Sequence, residues 1–163
     1  MKSFLKYWLP VLSWLGLIFI GSTDLMSAEH TSRFLVPFLY WLKPSITADA
    51  IAQIHFLIRK CSHLIEYAIL AILLWRALYR GTNLKIKTSI VYVSVWIAAI
   101  LFAAADEFHQ SFVASRTALR GDVVVDVLGA MIGLAIYLAL WRTRTKRIES
   151  GDQEARKIWL KLI

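Results

Sequence analysis

The sequence predicts an all-α integral membrane bundle of four transmembrane helices, with an additional helical segment at the outer interface. Three observations carry that prediction. Four apolar runs approach the roughly 20 residues needed to cross a hydrocarbon core of about 30 Å. The 163 residues are 58% hydrophobic and 18% charged, against about 45–50% and about 25% in soluble domains. Tryptophan is frequent (Trp8, Trp14, Trp41, Trp75, Trp96, Trp141, Trp159), and indole rings favour the membrane–water boundary, where ring and N–H are both satisfied. The length suits one domain: residues 1–141 read as the transmembrane domain and 142–163 as a basic cytoplasmic tail.

The first span runs from about Tyr7 to Ile20, extendable to Phe4 and Ser22. Lys2 and Lys6 ahead of it imitate a signal peptide, but no small-x-small cleavage site follows and three more spans do, so it reads as a retained helix. The segment from Ser22 to Ser62 is mixed in character and punctuated by Pro37 and Pro44. Phe34, Leu35, Phe38, Leu39, Tyr40 and Trp41 predict a short helix lying in the interface or on the bundle. From Thr47, with Thr47 or Asp49 as cap, the pattern is helical again and leads into a second span, His63 to Tyr79. One continuous helix there would be about 48 Å long. It must therefore project outward or bend near Arg59–Ser62. The third span, Thr88 to Ala105, carries no charge, and the fourth runs from Gly121 to Trp141.

Charge sets the orientation. Thirteen Lys and Arg residues flank the N-terminus, the loop between spans two and three, and the tail, against six on the other side. The basic side is therefore expected in the cytoplasm, with both termini. Trp8, Trp75, Tyr79 and Trp141 then stand at the inner boundary. The formal net charge of +8 does not point to nucleic acid, because the basic residues lie between apolar spans, where retention and anionic headgroups explain them. A single cysteine, Cys61, excludes an intrachain disulfide and reads as an inert small residue. Asp24, Glu29, Asp49, Glu66, Asp106, Glu107, Asp122 and Asp126 fall on the outer half, leaving only Glu149, Asp152 and Glu154 inside.

Three polar stretches meet at the outer ends of spans two, three and four. Arg59, His63, Glu66 and Tyr67 share a helical face, with Lys60 beside them; Asp106, His109 and Gln110 share another, with Glu107 adjacent and Arg116 following. Asp122, Asp126, Gly129 and Gly133 form one stripe, whose small residues admit a neighbouring helix. Ionisable groups near the hydrocarbon layer are costly and seek partners. Arg59, Lys60 and Arg116 are the natural ones for Asp106, Glu107, Asp122 and Asp126.

These stretches resemble the VanZ-like family of small bacterial membrane proteins: Arg-Lys-x-x-His-x-x-Glu-Tyr at 59–67, Asp-Glu-x-x-Gln at 106–110 with Arg116, and Asp-x-x-x-Asp-x-x-Gly-x-x-x-Gly at 122–133. At position 126 the family pattern commonly has Asn, so Asp126 adds a charge; His109 and the tail after Arg142 are not covered by the likeness. The resemblance implies a multi-pass protein of the bacterial cell envelope. The family is named for a determinant of resistance to the glycopeptide teicoplanin, which acts outside the membrane. It supplies no settled reaction and leaves any cofactor unknown.

Several functional readings stay open. In one, an outward pocket of Arg59, Lys60, His63, Tyr67, Asp106, Glu107, Gln110, Arg116, Asp122 and Asp126 binds an anionic envelope molecule or glycopeptide, Arg supplying bidentate recognition. In another, the protein is an enzyme on a lipid-linked substrate, with His63, Glu66, Asp106 and Asp122 as acid–base candidates, although no nucleophile elbow or phosphate-cradling loop is present. A metal site would use His63, Glu66, Asp106, His109, Asp122 and Asp126, but the nearby Arg and Lys oppose a cation, so none is expected. The same residues also serve simply as interhelical ties. Membrane lipids are the certain partners; a homo-oligomer is compatible with the sequence, and a transporter would need one.

Overall fold

In the computed structural model, residues 2–24, 27–82, 86–113, 120–149, 157–158 and 160–161 are described. Among them the chain forms five helices: α1 (Lys2–Gly21), α2 (Ala28–Leu42), α3 (Ala48–Arg80), α4 (Thr88–Gln110) and α5 (Arg120–Glu149). The helices α1, α3, α4 and α5 are long and apolar enough to cross a membrane, so the all-α, four-span architecture stands. Helix α5 continues beyond Trp141 to Glu149.

Helix starts follow local chemistry. Ser27 caps α2 by accepting the His30 N–H, and Glu29 in the first turn suits the positive end of the helix dipole. Thr47 caps α3 through the Ala50 N–H, with Asp49 in its first turn and Arg80 in its last. The short helix expected around Phe34–Trp41 is part of α2, with Pro37 inside it. Its ring removes only the bond to the Arg33 carbonyl, and the helix tolerates that loss. The α3 helix passes through Arg59–Ser62 without a break; its 33 residues span about 50 Å, well beyond a hydrocarbon core of about 30 Å.

Helix α3 is the hub, touching α1, α2, α4 and α5, and it packs most extensively on α5. Glycine explains that closeness. A Cβ on Gly129 would collide with the Leu64 carbonyl oxygen and lie 2.8 Å from Leu64 Cα, and one on Gly133 would lie 2.6 Å from Ala68 Cα. Lipid tails are as apolar as leucine, so close contact of this kind holds membrane helices together.

Three buried stripes converge. On α3 it is His63, Tyr67, Leu70, Ala71, Leu74 and Trp75; on α4 it is Val91, Val95, Ala99, Ala103, Asp106 and Gln110. On α5, Asp122, Asp126, Gly129, Ala130, Gly133 and Leu134 are buried. Each stripe is apolar or small along most of its length and turns polar at the same end of the bundle. Outward-facing Leu12, Phe19, Val93, Ile97, Leu101, Leu128, Ile132 and Ile136 make the opposite, lipid-compatible faces. The rings of Trp75, Tyr79 and Trp141 cluster at the far end, with the Arg80 guanidinium 5.9 Å from the Trp141 ring centre. Trp75 is buried there, against protein rather than lipid.

Candidate functional site

The polar end is built from three helices plus the end of α1. Asp122, wholly buried on α5, receives both cations of α3: Arg59 Nη2 lies 2.5 Å from Oδ2, and Lys60 Nζ pairs with Oδ1. The two cationic side chains keep 23% and 20% exposure. Their anchor is thus inside and their flanks reach the surface. Hydrogen bonds with both partners charged are the strong class, and a carboxylate buried without them would be far costlier than one exposed.

One turn deeper, His63 Nδ1 lies 3.0 Å from Asp126 Oδ1. With Asp126 ionised, Nδ1 carries the proton and donates. Asp106, on α4, accepts from Gln110 Nε2 at 3.0 Å and from the Ser22 hydroxyl at the end of α1. Gln110 Nε2 also lies 3.5 Å from Ser22 Oγ. Asp106 is therefore held by neutral donors.

This assignment of partners bears out the expected pairing for Asp122 and corrects it for Asp106 and Asp126. Arg59 and Lys60 both go to Asp122, while Asp126 takes the imidazole and Asp106 takes a hydroxyl and an amide. The reason is rotation about the helix axes: on α3 the cations stand at the level of Asp122 and His63 at that of Asp126, one turn along in both helices.

The remaining expected residues divide into those that join this cluster and those that do not. Tyr67 and Glu107 are buried beside it. Glu66 is half-buried; its backbone carbonyl accepts from Trp14 Nε1 at 2.9 Å, and its carboxylate lies toward Gly21 of α1. His109 turns to α1, its ring 4.5 Å from that of Phe19. Among the described residues, the atoms close enough to share a metal ion come from His63, Asp106 and Asp126; Glu66, His109 and Asp122, also expected as ligands, are not in that group. Arg116 lies outside the described residues. Ser22 was not foreseen. Its signal was faint: a buried-type hydroxyl at the end of an apolar span, level with three acidic stretches.

Among the described residues, Tyr67 Oη, Glu107 Oε1, Gln110 Oε1 and Asp126 Oδ2 are buried with no hydrogen-bond partner. Buried polar atoms are normally paired, so such a group marks a place where water, an ion or a ligand belongs.

Comparison with known proteins gives one finding. No curated protein and no solved structure matches the chain. The family model described as VanZ/LLP1 matches residues 7–142, which include every residue of the polar cluster, the whole of α3 and α4 and most of α1 and α5. By that match, extending over most of its length, the chain belongs to the VanZ/LLP1 family.

Proposed function

We propose that this VanZ-family protein sits in the bacterial cell membrane with both termini in the cytoplasm, and binds an anionic envelope molecule at the outward polar end of its bundle. By occupying or shielding that molecule it lowers susceptibility to glycopeptides such as teicoplanin. One observation carries the reading: Arg59 and Lys60 are anchored side by side on buried Asp122 while about a fifth of each side chain stays accessible. Cations held in place by an internal carboxylate meet an incoming phosphate or carboxylate without first being ordered, which is where affinity is usually lost. The guanidinium adds bidentate geometry. Arg116 is a third cation for the same role.

The orientation follows from the thirteen basic residues on one side against six on the other. It is tested by placing a cysteine at Gln53 or Thr145, both exposed, in a Cys61→Ser background and labelling intact cells with an impermeant maleimide. Gln53→Cys should react from outside and Thr145→Cys only after lysis; the reverse pattern removes the envelope reading.

Binding is tested with the purified chain in nanodiscs, titrated with a polyprenyl phosphate and, separately, with teicoplanin. Saturable binding without turnover is expected, weakened about tenfold in Lys60→Ala, Arg59→Ala or Arg116→Ala, equivalent to about 1.4 kcal/mol. Equal affinity in all three variants, or no binding of either probe, counts against it. A second reading is favoured by the buried His63–Asp126 pair at 3.0 Å: a base oriented by a carboxylate, suited to acid–base chemistry on a lipid-linked substrate. Product formation by the purified chain, abolished in His63→Ala, would establish that reading instead.

A further inference from the structure

Beneath the Arg59–Lys60–Asp122 rim lies a second group with its own requirement. His63, Asp106 and Asp126 come from three different helices, and all are buried. Each offers one ligand atom, and these atoms lie within 4.8 Å of one another. Asp126 Oδ2 is buried with no hydrogen-bond partner among the described residues, and so, on the same stretches of α3 and α4, are Tyr67 Oη, Glu107 Oε1 and Gln110 Oε1. Tyr67 and Asp126 are 0% exposed, Gln110 1% and Glu107 8%. Gln110 is tied to this spot by the hydrogen bond that its amide N–H donates to Asp106. Tyr67 follows His63 by one turn of α3 and is within electrostatic reach of Asp106, Asp126 and Glu107.

The imbalance is chemical. Acceptor oxygens predominate in the group: the His63 N–H, the Ser22 hydroxyl and one Gln110 N–H are already engaged, and of the four unpartnered oxygens Tyr67 Oη also carries a proton to donate. Its carboxylates lie within the bundle, between helices apolar enough to cross a membrane, where uncompensated negative charge is most expensive. The sequence-level objection to a cation was the nearby Arg59 and Lys60. Both instead pair with Asp122, one turn away.

We propose that His63, Asp106 and Asp126 hold one divalent transition-metal ion, with Asp126 offering Oδ2, its buried oxygen without a hydrogen-bond partner. An imidazole among carboxylates selects the zinc and manganese class over magnesium or calcium, which favour all-oxygen shells. Ser22 and Gln110, bonded to Asp106, orient that ligand in the manner of supporting residues around metal sites. The site needs nothing from the rim, so it stands whether or not an anionic molecule binds there.

The test uses the full-length chain, purified in detergent, stripped with chelator and re-equilibrated with Zn2+ or Co2+ in the presence of millimolar Mg2+. Bound metal is measured by mass spectrometry and the cobalt form by visible absorption. About one ion per chain is expected, with the ligand-field bands of nitrogen–oxygen coordination. Asp106→Asn, Asp126→Asn and His63→Gln should each weaken retention by at least about 100-fold, more than the 10–100-fold typical of supporting residues. Ser22→Ala should fall within that supporting range, and His30→Ala with Cys61→Ser should leave it unchanged. Wild-type protein that retains no zinc or cobalt overturns the proposal, and so does equal retention in the three ligand variants. Should those variants fail to fold, the wild-type stoichiometry and cobalt spectrum decide alone: absent bands or a substoichiometric trace refute the site.

Discussion

At one end of the bundle, Trp75 stacks on Tyr79 with ring centres 5.6 Å apart, and Trp141 meets both edge-on, under the Arg80 guanidinium. At the other, Asp106, Asp122 and Asp126 are buried among Arg59, Lys60, His63, Ser22 and Gln110. The same helices, α3 and α5, make both ends. The aromatic end is held by the mutual packing of these rings. The polar end places charge where charge is costly and leaves buried oxygens without partners among the described residues. Packing alone would hold the bundle without such residues, and a buried ion pair is often no more stabilising than an apolar replacement. The contrast is why the proposed function is assigned to the polar end, while packing accounts for the aromatic end.

The largest effect that would break this contrast comes from Asp122→Ala. It strands two partly buried cations and should cost about 3–5 kcal/mol, read as a fall in thermal midpoint in detergent. Arg59→Met, Lys60→Met and Asp122→Leu combined should recover most of that loss while abolishing binding at the rim. If the triple variant is as unstable as the single one, the polar end is structural after all. Trp75→Ala should cost about 3 kcal/mol, the lower end for a buried aromatic, because in lipid only packing is lost and not exclusion from water. Binding and metal retention at the other end should be unchanged. Gly129→Ala should cost about 1–3 kcal/mol by overpacking against the Leu64 backbone, and should weaken both ends together, since it separates α3 from α5 between them. Smallest, Arg80→Ala should remove about 0.5–1 kcal/mol of cation–π attraction to Trp141. A larger loss there would show that the aromatic end also depends on charge.

Reading the sequence reached the spans and the polar stretches but not their pairing. Apolar runs between Tyr7 and Trp141 mark helices because the bilayer demands length and hydropathy, both local properties. The i, i+4 relation of Asp122 to Asp126, or of Arg59 to His63, is also local. Which acid meets which base depends on how three helices are rotated against one another, and no stretch taken singly contains that. Ser22 illustrates the point: a serine at the end of a span looks the same whether it faces lipid, water or Asp106.

From the chain of residues alone came the four crossings, the small-residue stripe of α5 and the gathering of acids toward one end, since each rests on spacing or composition along a single segment. Only the assembled helices decided that Asp122 would take both cations, that His63 would stand against Asp126, and that Asp106 would be left to Ser22 and Gln110. Those outcomes turn on distances of a few ångströms between segments far apart in sequence, and the close approach of α3 and α5 over Gly129 and Gly133 is what brings them within reach.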